Sequence, residues 1–212
     1  MPELSAQPRW QRRAVDRPQE LLQAALAEFV ERGYAATRLD QVARRAGVSK
    51  GSLYRYYQNK AELFKAVVRS ALIANLDEAE ALASAHSGGS RELLAAFLTA
   101  FTRRVSESAL SGIPKLVMAE AGNFPEIARF YFDEVIQRAR HLIQGILERG
   151  MERGEFRNVD ADYAWRVVIA PLMLGILWKH TFLACEPGGF DFERHLRSHL
   201  DLLLDGLAAR EA

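Results

Sequence analysis

Residues 47–57, GVSKGSLYRYY, bring basic side chains, hydroxyl groups and tyrosines close together. Lys50 carries a positive charge, and Tyr54 and Tyr56 are long, rigid side chains that each end in a hydroxyl group. Such groups hydrogen-bond to phosphates and contact thymine methyl groups in nucleic acids. Gly51 has no side chain, which allows its backbone to approach a partner closely. These residue types predict a surface for an anionic polymer.

The charge distribution favours the same kind of partner. Residues 1–60 contain 11 Lys and Arg against 6 Asp and Glu, a net charge of +5, whereas the rest of the chain carries −4. A basic N-terminal part on an acidic body favours an anionic partner for the first part only. Arg9, Arg12 and Arg13 form a basic arm that either adds phosphate or minor-groove contacts or has no fixed structure.

Other chemistries have little support in the sequence. Cys185 is the only cysteine, which excludes an intramolecular disulfide and a multi-cysteine metal site. His195 and His199 have the i, i+4 spacing of a zinc-binding helix, but no Glu follows the first histidine and no third ligand is evident. Nucleophile, phosphate-loop and dinucleotide motifs are not found. We therefore expect no enzyme activity, no cofactor and no metal.

The N-terminal residues contain no apolar stretch of signal-peptide length, and the longest apolar run, residues 167–178, is short for a bilayer. A cytoplasmic protein without a membrane partner is expected.

Helical periodicity runs through nearly the whole chain, which predicts an all-α fold of about nine helices. Asp16 with Gln19 suggests the capping box of a first helix, and Gly33 ends it. The other predicted helices occupy about 37–46, 49–57, 59–85, 91–109, 113–121, 125–151, 160–184 and 191–210. The segment HSGGS, residues 86–90, is expected to be a flexible break.

The second and third helices, joined at Gly47, predict a helix-turn-helix on the first helix. Thr37 is expected to cap the second helix and Ser49 the third, whose Leu53 faces the core. In such a motif the third helix enters the major groove. The alternative is that the tyrosines are packing residues, and we favour it for Tyr57 alone. The predicted DNA contacts are Thr37, Arg38, Ser49, Lys50, Gly51, Ser52, Tyr54, Tyr56 and Lys60.

The stretch TRLDQVARRAGVSKGSLYRYYQNKAELF, residues 37–64, resembles the DNA-binding domain of the tetracycline repressor-like family. The matching pattern is a Thr that opens the second helix, Ala-Gly-Val-Ser, a Gly, Leu-Tyr, two aromatics and Asn-Lys-x-x-Leu. Val42 stands where Ile is usual and Tyr57 where Phe is usual. The resemblance covers residues 19–66 and implies three parts: a flexible arm over 1–15, a helix-turn-helix domain over 16–62, and a helical ligand-binding and dimerisation domain over 63–212.

The C-terminal helices are consistent with the dimer that this resemblance implies. The predicted helix 160–184 is apolar nearly all round, so we expect one face to be covered by its own subunit and another by a second subunit. With the last helix, two such helices from each subunit would form a four-helix interface. The last helix carries a leucine stripe that we assign to a homodimer interface; the alternative is that the stripe closes the core of one subunit. The stripe consists of Leu196, Leu200, Leu203, Leu204 and Leu207.

The resemblance also implies a pocket for a small-molecule effector. Apolar walls with a few polar groups are typical of ligand sites, although each of these residues is alternatively a core residue. They suggest an apolar or aromatic ligand, with Glu120 and His180 as further polar anchors. The candidates are Phe97, Phe101, Met118, Phe130, Tyr131, His141, Trp165, Met173 and Trp178.

These expectations combine into one hypothesis, a homodimeric transcriptional repressor. The helix 49–57 of each subunit would read double-stranded DNA at a near-palindromic operator, and an effector would release the protein. An enzyme with an all-α cavity and an adaptor whose helix-turn-helix binds protein are the alternatives. No nucleophile–base pair supports the first, and the basic charge of residues 1–60 argues against the second.

Overall fold

The structure, a computed structural model, describes residues 9–106 and 109–209, and the side chains of 18–104 and 109–209. The chain divides into two compact units, with the boundary between Ser70 and Ala71. All regular secondary structure in the described residues is helical. One isolated antiparallel bridge, between Phe156 and Ala208, is the only β pairing among them. The predicted all-α fold class is therefore confirmed.

The first unit contains four helices: α1 (Arg9–Ala36), α2 (Leu39–Arg45), α3 (Lys50–Tyr56) and α4 (Lys60–Val68). Helix α1 begins before the expected capping box, so Asp16 and Pro18 lie inside it. Pro18 removes one backbone hydrogen bond but does not end the helix. Residues 9–17 contain no glycine that would break the helix ahead of it. Residues 1–8 of the predicted arm lie outside the described residues.

Two glycines with positive φ bend the chain of this unit at the positions where the sequence predicted breaks. Gly33 has φ 81° within α1, and Gly47 has φ 66° between α2 and α3. L-residues with side chains rarely adopt this left-handed region, so glycine fits both bends. The chain after each glycine changes direction, and Phe29, Tyr34 and Phe64 then pack with ring centroids 5.3–5.8 Å apart.

The second unit contains seven α-helices, with π-helical turns at Arg69–Ile73, ahead of the first of them, and at Phe132–Ile136. When the helices on either side of each π turn are counted together, the described residues contain nine helices, the predicted number. The seven are α5 (Ala74–Ala85), α6 (Ser90–Ser106), α7 (Gly112–Glu120), α8 (Pro125–Tyr131), α9 (Gln137–Glu152), α10 (Ala161–Thr181) and α11 (Phe192–Leu207).

The core of the second unit lies where α6, α9, α10 and α11 meet. Leu94, Leu98, Ile143 and Leu147 are fully buried there. Near the end of α9, a Cβ atom on Gly150 would lie only 2.1 Å from the ring of Phe156, so this glycine is required for the close contact. Burial of these apolar side chains is the main term that holds the helices together.

The HSGGS segment, residues 86–90, is hydrogen-bonded rather than the flexible break that the sequence suggested. Arg149 Nη1 donates to the His86 carbonyl at 3.1 Å, and Arg153 Nη1 donates to the Gly88 carbonyl at 2.8 Å. The Glu155 carboxylate accepts from the Ser90 backbone N–H at 2.5 Å and so caps α6. These partners lie about 60 residues away, so local sequence patterns do not reveal them.

Candidate functional site

Helix α3 is anchored on one side and exposed on the other. Ser49 is its N-cap, as predicted, and its Oγ accepts from the Ser52 backbone N–H at 3.1 Å. Leu53 is fully buried and fixes the helix to the first unit. The opposite side projects Tyr54, which is 43% exposed, with the Lys50 ammonium 5.7 Å from its ring centroid.

The exposed side of α3 carries positive charge. Lys50 and Arg55 are exposed, and neither has a carboxylate partner in the part of the chain that the structure describes. Tyr56 is 45% exposed, whereas Tyr57 is half-buried. Burial raises the pKa of Tyr57, as does its neighbour Tyr56, so the Tyr57 hydroxyl stays protonated at neutral pH. We name Lys50, Gly51, Tyr54, Arg55 and Tyr56 the α3 face.

Thr37, predicted to cap α2 and to contact DNA, has a different role. Its side chain is buried, and its hydroxyl donates to the Gly33 carbonyl at 2.7 Å and lies 3.1 Å from the Glu28 carbonyl. Arg38 occupies the N-cap position of α2 instead. Thr37 fixes the corner between α1 and α2, so we remove it from the predicted DNA contacts.

Lys60 is likewise engaged inside the first unit. Its Nζ donates to the backbone carbonyls of Tyr34 at 2.7 Å and Ala35 at 2.9 Å, and it lies 4.6 Å from the Tyr34 ring centroid. The positive charge thus stabilises carbonyl groups at the end of α1. The predicted phosphate contact is replaced by a contact that joins α4 to α1.

Two arginines of α2 have different roles. Arg45 binds the Glu31 carboxylate at 2.7 Å and the buried Glu28 at 3.3 Å, which ties α2 to α1. The hydrogen bond from Arg45 holds the pKa of Glu31 below its usual value. The side chains of Arg38 and Arg44 are 74% and 75% exposed, and both form an ion pair with Asp40. Arg44 and Arg55 are candidate phosphate contacts that the motif did not include; the charge excess alone indicated them.

The predicted pocket residues do not form one pocket. Trp165 belongs to the core of the second unit, and Phe97 and Phe101 pack against that core. Phe130 and Tyr131 are buried in α8, where burial raises the pKa of Tyr131. Met118 is 54% exposed. Met173 and Trp178 are half-buried on α10, with the Trp178 indole donating to Glu186 at 2.5 Å. The sequence identified apolar residues but did not distinguish those that belong to the core from those that line a cavity.

A surface cavity of about 260 Å³ lies between α5, α6 and α9; we name it the α5–α6–α9 cavity. Of the predicted pocket residues, only His141 lines it. His180, the other histidine proposed as an anchor, bonds the buried Ser111 hydroxyl through Nε2 at 2.8 Å. The cavity is lined by Glu80, Ala83, Ser84, Leu93, His141, Leu142, Gly145, Ile146 and Arg149.

The leucine stripe of α11 faces the interior of its own subunit. Leu196, Leu204 and Leu207 are 5–8% exposed and belong to the core of the second unit, while Leu200 and Leu203 pack against it. Leu196, Leu204 and Leu207 are therefore core residues rather than interface residues, because their side chains are already covered, while the interface assignment of the partly buried Leu200 and Leu203 stays a prediction. The alternative, a stripe that closes one subunit's core, describes the three buried leucines.

Helix α10 exposes several large apolar side chains along one side, whereas α11 exposes only one, Leu202, among its described residues. Tyr163, Val167 and Leu174 are 70%, 65% and 56% exposed, and with the exposed Ala170 they follow i, i+4, i+7 and i+11 along one side. By length and composition α10 could cross a membrane, and only 28% of its apolar window is buried. Its other sides pack on α7, α9 and α11. We name these four residues the α10 face.

Two family models match the chain in order. Residues 21–67 match the model of bacterial regulatory proteins of the tetR family. Residues 84–184 match the tetracyclin repressor-like C-terminal domain. The first match contains α3 and its anchoring residues, and the second contains α6 to α10.

Relatives match over nearly the whole chain. The transcriptional repressor KstR2 of Rhodococcus jostii (strain RHA1) is 29% identical over 196 residues, which cover 90% of each chain. The solved ketosteroid transcriptional regulator KstR2 of Mycobacterium tuberculosis superposes with a TM-score of 0.71 at 25% identity, over 92% of this chain and 96% of that chain. The regulator FadR from Bacillus subtilis, solved with stearoyl-CoA, shares the fold with a TM-score of 0.71 at 18% identity, over 89% and 98%. The chain belongs to the tetracycline repressor family of bacterial transcriptional regulators.

Proposed function

We propose that this regulator is a homodimeric repressor that binds a near-palindromic DNA operator through the α3 face and is released by a small-molecule effector bound in its second unit. The observation that carries the proposal is the α3 face itself, where the exposed basic residues Lys50 and Arg55 lie among the exposed Tyr54 and Tyr56 on a helix anchored by Leu53. The expected cellular location is the cytoplasm, where the DNA is.

The α3 face supports DNA binding through groups of two kinds. Lys50 and Arg55 supply charge for phosphates, and Arg38 and Arg44 add charge at the two ends of α2. Tyr54 and Tyr56 supply hydroxyl groups and flat apolar surface for base edges. Ser49 caps the N-terminus of α3 with its own side chain. The exposed residues of α3 are therefore not needed for the cap, and their identities can follow the operator sequence.

The α10 face supports the dimer. Its apolar residues are exposed along about three helical turns, and large exposed apolar patches usually mark an interaction surface. A second copy related by two-fold symmetry would cover the same residues on both subunits. Two reading helices about 34–36 Å apart would then meet successive turns of the major groove.

Repression and release by an effector rest on the relatives. KstR2 of Rhodococcus jostii is named a repressor, KstR2 of Mycobacterium tuberculosis is described as a ketosteroid regulator, and FadR of Bacillus subtilis was solved with stearoyl-CoA. These names favour an effector with a large apolar part. A coupling energy of about 1–3 kcal/mol between effector and DNA would change operator affinity about 5–150-fold.

The experiment is fluorescence anisotropy of the full chain against labelled DNA from just upstream of its own gene, at several salt concentrations. We expect tight binding with two subunits per site and a steep salt dependence. Lys50→Ala should weaken binding and lower the salt slope by about 1, because one phosphate contact is lost. Tyr54→Ala should weaken binding about 5–150-fold, the range for one base contact of about 1–3 kcal/mol.

Tyr57→Phe is the matched control, because it changes a tyrosine of the same segment that is half-buried. It should leave affinity within about twofold of the wild type. Circular dichroism should show all three variants folded. If a selection from random DNA yields no preferred sequence, or if Tyr54→Ala and Tyr57→Phe bind equally well, the assignment of the α3 face is wrong.

A further inference from the structure

The α5–α6–α9 cavity has an apolar inner wall and a polar rim. Leu93 and Ile146 are 7% and 3% exposed and form the inner wall with the partly buried Leu142. His141 and Ser84 are exposed, which places them at the rim. His141 has no hydrogen-bond partner among the residues with described side chains. Such a combination suits a small molecule with an apolar body and a polar end.

Arg149 brings a positive charge to the cavity, whose lining also includes the acidic residue Glu80. Its Nε and Nη1 donate to two neutral oxygens, Ser90 Oγ at 3.3 Å and the His86 carbonyl at 3.1 Å. Its Nη2 is buried and has no partner. Within the described part of the chain no carboxylate pairs with it. A half-buried, unpaired guanidinium is costly, and an anion that reached it would relieve that cost.

Gly145 indicates that the cavity is kept open. It lies in the middle of α9, where glycine costs about 1 kcal/mol of helix stability relative to alanine. Its φ is not in the left-handed region, and a Cβ atom at this position would meet nothing within 4 Å. Neither backbone conformation nor packing explains this glycine, in contrast to Gly150. Close approach of a bound molecule does explain it.

We propose that the α5–α6–α9 cavity is the binding site for the anionic end of the effector, a small amphipathic carboxylate. Its carboxylate group is held by Arg149, and its apolar body lies against Leu93, Leu142 and Ile146. A single guanidinium matches a single carboxylate in charge and geometry. A doubly charged phosphate would add excess negative charge near Glu80, which already shares the single positive charge of Arg138 with Asp77. The inference rests on the proposed function only in identifying the occupant as the effector.

Helix α5 is the element that an occupant of this cavity would affect most. It has no buried residue, and polar contacts hold it to its neighbours. Arg138 of α9 binds Asp77 at 2.6 Å and Glu80 at 2.5 Å, and Arg104 of α6 binds Glu78 at 2.5 Å. The hydrogen bonds that Arg138 donates to Glu80 raise the pKa of Arg138. An occupant that touches Ala83 and Ser84 would add contacts to α5, which follows α4 after the π turn at Arg69–Ile73.

The test is calorimetric titration of the full chain with octanoate, a carboxylate on an apolar chain, and with 1-octanol, its uncharged counterpart. The wild type should bind octanoate at least about tenfold more tightly than octanol, because a charge-assisted hydrogen bond contributes that much. Arg149→Gln should remove this preference.

Two further variants separate the cavity from folding. Gly145→Leu places a side chain at a lining position where an added Cβ atom meets nothing within 4 Å, and it improves helix propensity, so it should abolish octanoate binding while the melting temperature stays equal or rises. Arg153→Gln is the matched control. Arg153 also donates to a carbonyl of the 86–90 segment, but it has a carboxylate neighbour, Glu155, at 3.6 Å and does not line the cavity. It should bind octanoate like the wild type.

Equal affinity for octanoate and octanol, or unchanged octanoate binding by Gly145→Leu, would overturn the inference. Operator binding by the same variants, measured without octanoate, keeps the two proposals apart. Gly145→Leu should bind operator DNA like the wild type. If the protein binds operator DNA but shows no preference for octanoate over octanol, only the cavity site is refuted. If it binds octanoate as expected but does not bind operator DNA, only the proposed function is refuted.

Discussion

Helices α10 and α11 follow each other in the chain and are both rich in apolar residues, yet they use them differently. Helix α11 turns Leu196, Leu204 and Leu207 into the core of its own subunit and leaves charged residues outside. Helix α10 buries Leu172 and Ile176 on one side and exposes the α10 face on another. Most apolar side chains of α11 are covered within one subunit, whereas those of the α10 face are exposed.

The difference shows which sequence pattern indicates a partner. A one-sided stripe needs only one covering surface, and the rest of the subunit supplies it. A helix that is apolar all round needs a second surface, which a single subunit does not provide for α10. The regular leucine stripe was the more conspicuous pattern in the sequence, but the less regular helix has the exposed apolar surface that we propose for a second copy.

The largest expected effect is on assembly. Val167→Arg places a charge in the middle of the α10 face, and two-fold symmetry brings two such charges to one interface. An unpaired charge in an apolar interface costs at least about 3 kcal/mol, so the variant should be monomeric at micromolar concentration. Light scattering after size-exclusion chromatography measures this. Ala96→Arg, on an exposed position of α6, is the control and should stay dimeric. A dimeric Val167→Arg protein would show that the α10 face is not the interface.

A smaller effect is expected from α11. Leu204→Ala should lower the free energy of unfolding by about 2–5 kcal/mol, because it leaves a cavity in the core. Urea denaturation in the Val167→Arg background measures the subunit alone. Leu202→Ala removes the same atoms from a side chain that is 76% exposed, and it should change the free energy by less than about 0.5 kcal/mol. Equal effects of the two substitutions would contradict the contrast between the two sides of α11.

The smallest effect concerns the contact between these two helices. His199 of α11 bonds the Val168 carbonyl of α10 through Nε2 at 2.8 Å. Burial lowers the pKa of His199 below its ordinary value of 6.5, and nearby His195 lowers it further. Because the folded protein disfavours the proton, this residue's contribution is fully present above pH 6.5 and is lost as pH falls through the lowered pKa.

The measurement is urea denaturation of the same monomeric background at pH 7.5 and pH 5.5, with and without His199→Gln. Glutamine can still donate to the carbonyl but does not titrate in this range. The unfolding free energy of the variant should therefore depend less on pH than that of the parent. His180, whose pKa is also lowered by burial, titrates equally in both proteins and cancels in the difference. Identical pH dependence would assign the effect to other groups.

Local chemistry in the first unit was predictable from the sequence. The positive φ of Gly33 and Gly47, the Ser49 cap and the burial of Leu53 each follow from residue type and a spacing of a few positions. Asn59 likewise caps α4 through a partner only three residues away, accepting from the Glu62 N–H at 2.9 Å. These features are decided within one or two helical turns, where short-range patterns carry enough information.

Predictions failed where the partner lies far along the chain. Lys60 reaches carbonyls about 25 residues away, and Arg149 reaches the 86–90 segment about 60 residues away. A polar side chain has the same identity whether it binds DNA or an internal carbonyl, so its sequence position alone does not decide. Residue type also did not show that Trp165 belongs to the core and that Phe101 packs against it. A cavity depends on which space the neighbouring helices leave unfilled, and a single residue's identity does not reveal that.

In the first unit, the side chains that hold the fold and those that face outward from α3 are different residues. Thr37 and Lys60 attach to backbone carbonyls, which any residue at those positions would supply. Lys50, Tyr54 and Arg55 take no part in that attachment. The α3 face can therefore be exchanged, residue by residue, on an unchanged scaffold. If the α3 face binds the operator as proposed, protein engineers could retarget the first unit by substituting these three side chains, and the fold would not need to be redesigned.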